Sequence, residues 1–432
     1  MLAPAPRLLL VSAAVALPLA AVAGMFPAMT VPAVAGLVVC AAVAMYDAVA
    51  ALRLIAGVSL SAPPFIRLTK DVAAGFPVTI ENRGDEALPL RLGLVPPPGI
   101  ETDSPVLDVS AAPGTSLVEW PCTGRARGDH PLRGLHVEAG SPLGLWLARQ
   151  PRPLEFSFRV YPNLRDRATA ALFLRTADTG LRVRRQVGRG REFENMRHYL
   201  PGDCFEDIHW KATARRSFPV VKLYRVEQAQ EVYAILDSSR LSAREGILDS
   251  FVDAALYLAL VAEKQGDRFG LVTFSDRTHK FVRARNGMDH FRLCRETIYN
   301  LRAQRVSPDF RDVFTSLQLN LRRRSLLVFF TSLDDALLAE GFERDIPLLA
   351  RRHLVLVNVR RTAALHPLYT GEPPADRDAL YSGLAGQILW NRMRALEIAL
   401  QNRGVKLTVT DPERIKMQVA SNYLDVKRRQ AL

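Results

Sequence analysis

Two long apolar runs at the N-terminus constrain the fold of this chain more than any other feature. The first run, Leu8 to Phe26, has no charged residue, and the second, Val31 to Leu52, is interrupted only by Asp47. As a helix, the first run would be about 28 Å long, which is close to the hydrocarbon thickness of a bilayer. The four residues that join the runs are uncharged. The sequence therefore predicts a transmembrane helical hairpin over residues 1–56.

The flanks of these runs indicate how the hairpin is oriented. A cleaved signal peptide is the alternative, since Ala-rich stretches offer cleavage sites, but the immediate second apolar run argues against it. Arg7 precedes the first run, and several cations, beginning with Arg53, follow the second. The positive-inside rule then predicts a multi-pass protein of the inner (cytoplasmic) membrane with its soluble domains in the cytoplasm. Asp47 is expected near the membrane interface, beside Tyr46, or as a functional group within the membrane.

Short strands and turn signals fill residues 57–165. The segment Pro77–Asn82 leads into a turn at Arg83-Gly84-Asp85, and Leu88–Leu94 alternates apolar and polar residues. This alternation is typical of a half-buried antiparallel strand, and no long helical period interrupts the region. The pattern predicts a small β-sandwich-like domain.

The periodicity changes after residue 226. Val232–Leu236 reads as a buried strand, and Ser242–Glu245 has the spacing of a capping box for a helix that runs to Gly266. Leu326–Phe330 and Leu354–Val357 are continuous apolar strands, as expected when helices cover both faces of a parallel sheet. The alternation of strands and helices predicts an α/β, doubly wound, Rossmann-like domain over residues 226–432.

Between these two domains, residues 166–225 form a segment rich in turn residues and charges. It contains Gly188-Arg189-Gly190, then Pro201-Gly202-Asp203, and closes on Ile208-His209-Trp210-Lys211-Ala212. In order and spacing the segment resembles the domain-of-unknown-function 58 (DUF58) family, bacterial proteins in which it leads into a von Willebrand factor A-like domain. The element Ser141–Trp146 also resembles the closing element of that family's β domain. Glu206 and Asp207 depart from the pattern, because many members have a basic residue there.

Two interpretations of this segment stay open. In the first, the glycines and the Pro-Gly-Asp turn serve the backbone, and Trp210 is a core anchor. In the second, the segment is a docking surface for a protein partner. The side chains that would form this surface are Arg197, Asp203, Trp210, Lys211 and Arg215.

The resemblance also implies a metal site. In von Willebrand factor A domains, an Asp-x-Ser-x-Ser motif holds a divalent cation with help from a distant Thr and Asp. This chain keeps Asp237 and Ser239 but has Leu241 in place of the second serine, and Ser332 takes the usual aspartate position. We therefore expect at most weak Mg²⁺ binding by Asp237, Ser239 and Asp334. The alternative is that Asp237 caps the following turn and Ser239 satisfies backbone groups.

Signals of an enzyme are weak. The sequence has no phosphate-binding GxxxxGK[ST] loop and no GxSxG nucleophile motif, and its four cysteines have no zinc-type spacing. A formal net charge of +13 favours contact with anionic surfaces, and Arg322–Arg324 form one basic run. Anionic lipid is the preferred ligand for such residues, because no nucleic-acid-binding motif accompanies them.

The resemblance to the DUF58 family supplies the predicted function. Its members are commonly encoded alongside MoxR-type AAA+ ATPases. The resemblance therefore implies a non-enzymatic, membrane-anchored adaptor for such an ATPase, acting in assembly, metal insertion or envelope-related functions. A basic protein that binds nucleic acid or anionic lipid is the alternative, and a metal-dependent enzyme is a less favoured one.

Overall fold

The computed structural model divides the chain into two units, Met1–Asn163 and Leu164–Leu432. The structure describes the first unit completely. In the second unit, the described residues are 187–200, 205, 208–216, 218–225, 230–244, 246–362, 365 and 377–428.

The two predicted apolar helices lie near the N-terminal end of the first unit. Helix α1 spans Pro6–Met25 and helix α2 spans Thr30–Ala56, and a single turn of 3₁₀ helix at Pro27–Met29 joins them. Both helical segments are long and apolar enough to cross a membrane, and α1 has no buried residue. Helix α2 runs one turn beyond its predicted end at Leu52, because its last turns bury apolar side chains against the strands that come next in the chain.

Two sheets make up the rest of this unit. The order of the first sheet is β1-β10-β9-β5-β7, with β3 parallel to one end of β10, and the order of the second is β2-β4-β8-β6. The strands are β1 Leu2–Pro4, β2 Val58–Ser61, β3 Phe65–Thr69, β4 Ala73–Asn82, β5 Leu88–Gly93, β6 Ile100–Glu101, β7 Val106–Ala111, β8 Gly114–Gly124, β9 Gly128–Gly140 and β10 Trp146–Tyr161.

One apolar core lies among these strands and the end of α2. Phe76 of β4 stacks on Phe156 of β10 with ring centroids 4.5 Å apart, and Trp120 of β8 is fully buried. Ala51 and Ile55 of α2 belong to the same core. Helix α2 therefore passes without interruption from its apolar, exposed part into the interior of the strand module.

Asp47 connects the helical pair to the loop between β9 and β10. Its side chain is 1% exposed, and its two carboxylate oxygens accept hydrogen bonds from the backbone N–H groups of Leu143 (2.9 Å) and Leu145 (3.3 Å). The Trp146 indole N–H donates to the carbonyl of Ala44 at 2.9 Å, and Ala5 at the start of α1 donates to the carbonyl of Leu145. Asp47 thus lies level with the start of α1, at the end of the hairpin that contacts the strands.

The second unit contains a six-stranded sheet of order β15-β14-β13-β16-β17-β18. Every neighbouring pair is parallel except β14 and β15, which form an antiparallel hairpin. A separate two-stranded ribbon, β11 with β12, precedes this sheet. The strands are β11 Val187–His198, β12 Val220–Arg225, β13 Glu231–Asp237, β14 Arg268–Phe274, β15 Thr278–Arg285, β16 Leu326–Phe330, β17 Leu354–Arg360 and β18 Val405–Thr410.

Helices cover both faces of the six-stranded sheet. The helices of the second unit are α3 Trp210–Arg216, which lies against the ribbon, and α4 Ile247–Lys264, α5 Met288–Ile298, α6 Phe310–Asn320, α7 Ala336–Asp345, α8 Pro347–Ala350, α9 Arg377–Asn402 and α10 Ile415–Arg428. Helices α4, α5 and α10 share one apolar core with the sheet, and α6, α7 and α9 share the other. Alternate residues of β13 supply the two cores, Ala234 the first and Ile235 the second. This burial on both sides explains the continuous apolar runs in the sequence.

The helix after β13 begins later than the sequence predicted. Ser242 lies in a 3₁₀ turn at Arg240–Ser242, and α4 begins at Ile247 after Gly246, whose φ of 72° is in the left-handed region. The predicted capping box at Ser242–Glu245 is therefore wrong, with Glu245 itself outside the described residues. The physical reason is that Ser239 caps the short turn first, so the chain needs a left-handed residue to enter the helix.

A buried charge cluster joins the last helix to the sheet. Asp267, 2% exposed, accepts hydrogen bonds from the Tyr423 hydroxyl, from the Lys427 ammonium at 2.9 Å and from the backbone N–H of Gln230 at 3.1 Å. Burial, and then the charge of Asp267, raise the pKa of Tyr423, so this hydroxyl keeps its proton. The cluster fixes α10 against the start of β14.

Candidate functional site

The segment that resembles the DUF58 signature forms a ribbon and a short helix. Strands β11 and β12 pair with Arg197 opposite Val221, and the Arg197 guanidinium donates to the carbonyl of His198 at 2.9 Å. The His198 ring stacks on Phe218 with centroids 4.2 Å apart. These contacts hold Arg197 on a strand that is paired rather than in a loop.

Helix α3 is fixed to the ribbon through its backbone and one hydroxyl. Ile208, 6% exposed, bridges to Val221 just before the helix begins. His209 accepts a hydrogen bond from Ala212 N–H through Nδ1, and the Thr213 hydroxyl accepts one from Val220 N–H at 3.1 Å. One side of this seven-residue helix therefore packs against the ribbon, and the opposite side is exposed to solvent.

Trp210 lies on the outward side. It is 67% exposed, and Lys211 and Arg215 are exposed with it. The interpretation of Trp210 as a core anchor is wrong, because Ile208 takes the inward position that the tryptophan was expected to fill. Two other large apolar residues of this segment are also exposed, Leu200 at 57% and Phe205 at 72%. Asp203, the fifth residue assigned to a docking surface, lies outside the described residues.

The expected metal-binding residues lie at the carboxyl end of the six-stranded sheet, where protein groups already bond to both carboxylate oxygens of Asp237 and to the hydroxyl of Ser239. Asp237 is fully buried, and its carboxylate accepts hydrogen bonds from Ser239 N–H at 2.8 Å and from the Thr331 hydroxyl at 2.6 Å. Burial raises the pKa of Asp237, and these hydrogen bonds oppose the rise. Ser239 accepts a hydrogen bond from Leu241 N–H, as an N-cap does. Asp237 and Ser239 therefore occupy the turn-capping roles that the sequence left as the alternative.

The two acidic residues after β16 have partners of their own. Asp334 pairs with Arg244 at 2.8 Å, and Asp335 pairs with Arg240 at 2.8 Å. Asp335 also caps α7 by accepting hydrogen bonds from the first N–H groups of that helix. The hydrogen bond from Arg240 lowers the pKa of Asp335. Thr331, which the sequence did not single out, is the residue that contacts Asp237.

The side-chain oxygens of Asp237, Ser239 and Asp334 do not fit a tight Mg²⁺ site. A hard cation needs several free oxygen ligands, and of the four carboxylate oxygens of Asp237 and Asp334, Asp334 Oδ1 alone lacks a partner among the described residues. No group of three or more His, Cys, Asp or Glu side chains that could hold a metal was found in the described part of the chain. Titration of the full chain with Mg²⁺ in a calorimeter is expected to show no saturable heat below the millimolar range. Micromolar affinity that Asp237→Ala abolishes, while an exposed control, Asp289→Ala, retains it, would contradict this expectation.

A cluster that the sequence did not reveal lies beside this region. The buried Ser275 hydroxyl contacts His279 Nε2 at 2.6 Å, Asp276 Oδ1 at 2.8 Å and Gln304 Oε1 at 3.1 Å. The Asp276 carboxylate is 3.8 Å from the same ring nitrogen of His279. In a Ser-His-Asp triad the acid binds the other ring nitrogen, and the serine must reach the substrate. This cluster therefore connects the β14–β15 hairpin to the loop at Gln304 and has no geometry for nucleophilic catalysis.

Together these features define a mixed α/β protein with two apolar N-terminal helices and an exposed aromatic and basic helix before its main sheet. The model of the family described as "Protein of unknown function DUF58" matches residues 195–366. The resemblance to the DUF58 family that the sequence predicted is confirmed over this segment. No curated protein matches the sequence significantly.

Several solved structures resemble parts of the chain at low identity. The SpRpn10 VWA domain is 12% identical with a TM-score of 0.27, and the alignment covers 45% of this chain and 94% of that one. Proximal thread matrix protein 1 from the mussel byssus is 10% identical with a TM-score of 0.29, covering 46% of each chain. The ASH/PapD-like domain 7 of human CEP192 is 14% identical with a TM-score of 0.19, covering 25% of this chain and 87% of that one.

Proposed function

We propose that the chain is a non-enzymatic, membrane-anchored adaptor that docks a MoxR-type AAA+ ATPase through α3 and its ribbon. The two apolar helices supply the anchor, in an inner-membrane orientation with the remaining residues in the cytoplasm. A reporter that fluoresces only in the cytoplasm, fused after Leu432, tests this orientation. A dark but intact fusion would refute it.

Finer features of the fold belong to the same proposal. Numbered from β13 in chain order, the six strands lie in the order 3-2-1-4-5-6 across the sheet. This is the strand order of a doubly wound fold. We assign it to the von Willebrand factor A-like class that the DUF58 resemblance implies. The two sheets of the first unit enclose one core, which supports a β-sandwich-like module.

The observation that carries the docking proposal is the exposure of Trp210 on a helix whose backbone is held rigidly. Tryptophan and arginine dominate the binding energy of protein interfaces, and a fixed helix loses little entropy when a partner binds. Lys211 and Arg215 place two cations beside the ring. The partner class is proposed from the DUF58 resemblance, and the exposure of Trp210 supports α3 as the place of docking.

The test is co-purification of the ATPase with the full chain from solubilised membranes, with and without ATP. Trp210→Ala is expected to reduce recovery of the ATPase by roughly thirtyfold, since an interface hot spot contributes about 2 kcal/mol or more. Arg197→Ala, Lys211→Ala and Arg215→Ala are expected to reduce it by smaller factors. The thermal midpoints of the Trp210, Lys211 and Arg215 variants should stay within about 1 °C of the parent, because these exposed side chains contribute little to stability.

Lys280→Ala is the matched control, because Lys280 is also exposed in the second unit but lies on β15. It should leave recovery of the ATPase unchanged. Full recovery with Trp210→Ala would refute docking at α3. A loss of several degrees in midpoint for Arg197→Ala and Lys211→Ala would show that these residues clamp the segment internally.

A second candidate function is binding of an anionic surface, which the excess of basic over acidic residues favours. The described side chains offer less support for a metal-dependent enzyme, because Asp237 and Asp334 already have protein partners. Recombinant chain that hydrolyses a substrate only with added Mg²⁺ would revive that alternative.

A further inference from the structure

Five arginines lie together at the edge of the six-stranded sheet where β16 and β17 begin. These two strands are parallel neighbours, with Leu326 opposite Leu354, so the turns before them lie side by side. The Arg352 guanidinium donates to the carbonyl of Arg322, which joins the two turns. The members of this arginine patch are Arg322, Arg323, Arg324, Arg351 and Arg352.

The charge of the arginine patch is not neutralised within the described part of the chain. All five arginines are exposed, and none forms an ion pair with a described carboxylate. The acidic residues at the end of the neighbouring helix α7 are engaged elsewhere, Glu343 with Arg403 and Asp345 with Arg344. Like charges held this close repel one another, so an anion that bound here would relieve a cost built into the fold.

A buried histidine lies beneath the patch. His353 is 2% exposed, and neither of its ring nitrogens has a hydrogen-bond partner among the described residues. Burial, and then the charges of Arg352 and Arg324, lower the pKa of His353 to about 4. The imidazole is therefore neutral at physiological pH, and the positive charge at this edge comes from the arginines.

Two exposed leucines flank the arginines. Leu319, at the end of α6, is 78% exposed, and Leu348, in α8, is 49% exposed. The Gln318 side chain donates to the carbonyl of Leu348 at 3.0 Å, so the two helix ends are held next to each other. Exposed apolar side chains beside a row of guanidinium groups form an amphipathic surface rather than a purely charged one.

We propose that the arginine patch binds the phosphate headgroups of anionic phospholipids while Leu319 and Leu348 enter the interface between headgroups and acyl chains. Guanidinium groups match phosphate geometry with paired N–H donors, and basic residues next to apolar ones are typical of surfaces that lie on membranes. A nucleic-acid surface is less favoured, because the flanking segments 318–325 and 347–352 offer no aromatic side chain on which a base could stack.

The proposal rests on the membrane anchor in the proposed function, because two apolar helices in the same chain would keep a lipid surface within reach. Such tethering raises the effective concentration of headgroups, so that weak individual contacts suffice. The lipid site deepens the adaptor proposal by adding a second contact with the membrane, which the second unit would make.

The test uses the full chain in nanodiscs of phosphatidylcholine, with or without phosphatidylglycerol. Phenylglyoxal modifies accessible arginines, and mass spectrometry gives the rate at each one. Phosphatidylglycerol is expected to slow modification of the arginine patch by about fivefold or more, as attraction of each basic residue to an anionic surface predicts. Arg414, also exposed but placed after the carboxyl end of β18, is the internal control and should react at an unchanged rate.

A pair of matched variants separates lipid contact from charge alone. Leu319→Asn, which removes the apolar side chain without adding a charge, should reduce the protection, whereas Leu337→Asn, at a leucine that is 79% exposed on α7, should keep it. Protection by inorganic phosphate equal to that by phosphatidylglycerol would overturn the lipid assignment in favour of a site for free anions. Protection by a single-stranded oligonucleotide alone would reassign the patch to nucleic acid.

The assay also separates this inference from the adaptor proposal. Failure to recover the chain in nanodiscs would refute the membrane anchor, on which both proposals depend. Recovery in nanodiscs with no protection of the arginine patch would refute the lipid site alone. No ATPase is present in the assay, so neither outcome depends on the docking surface.

Discussion

Replacing Asp267 by alanine is expected to lower the free energy of unfolding of the second unit by about 3 kcal/mol. The substitution removes the acceptor for the buried Tyr423 hydroxyl and for the Lys427 ammonium. Breaking a buried ion pair leaves an uncompensated charge, which costs about 3–5 kcal/mol. We place the effect at the lower end because the Lys427 side chain is 29% exposed and water can partly solvate it.

Hydrogen exchange of the full chain in detergent provides the measurement. Backbone amides of α10 in Asp267→Ala should exchange roughly a hundredfold faster if they open through unfolding of the unit, while the strands of the first unit stay unchanged. Tyr423→Phe removes one hydrogen bond and should cost about 1 kcal/mol. Asp289, whose side chain is 94% exposed, gives the control variant Asp289→Ala. Equal exchange in the Asp267 and Asp289 variants would show that the cluster does not stabilise α10.

Asp47→Ala is expected to detach the loop between β9 and β10 from the helical pair. The change leaves the N–H groups of Leu143 and Leu145 without their acceptor, at about 1–3 kcal/mol for each group that stays buried. Exchange of these two amides in the full chain should therefore accelerate by at least tenfold. Asp47→Asn should give a smaller effect, because its amide oxygen can still accept one of the two hydrogen bonds.

The control for this experiment is Asp85→Ala, since Asp85 is an exposed turn residue of the same unit. It should leave the exchange of both amides unchanged. Preserved protection of the loop in Asp47→Ala would mean that the Trp146 contact with Ala44, together with the bond from Ala5, holds the loop without the carboxylate.

The apolar pattern predicted much of the fold because burial on two faces leaves a clear signal. Leu326–Phe330 was predicted at its observed bounds, and the predicted strand Val232–Leu236 lies within β13, one residue short of it at each end. The start of α4 was predicted wrongly, because nearby residues compete to cap the same stretch of backbone. Ser239 caps a short turn before the helix begins, and a sequence pattern does not reveal which of two nearby serines will cap.

The candidate sites were less predictable, because exposure and pairing are tertiary properties. From the sequence, Trp210 is a large apolar residue of the kind that is usually buried. Only the structure shows that Ile208 is the buried residue and that the Trp210 ring faces outward. The contact of Thr331 with Asp237 joins residues 94 positions apart, which no local pattern reveals. Likewise, the arginine patch combines a visible basic run with Arg351 and Arg352, which only the parallel pairing of β16 and β17 brings beside it.

The uninterrupted helix α2 determines the orientation of the strand module, residues 57–163, relative to the two apolar helices. Because Ala51 and Ile55 are packed in the core of the strands, no swivel separates that core from the apolar part of the helix. Each residue added to a helix rotates the next part of the chain by about 100° and advances it by about 1.5 Å. The number of residues between the Pro27–Met29 turn and Asp47 therefore sets the rotation of the strand module about the long axis of the helical hairpin. Adding or removing one residue there would turn every surface of the module to face a different direction.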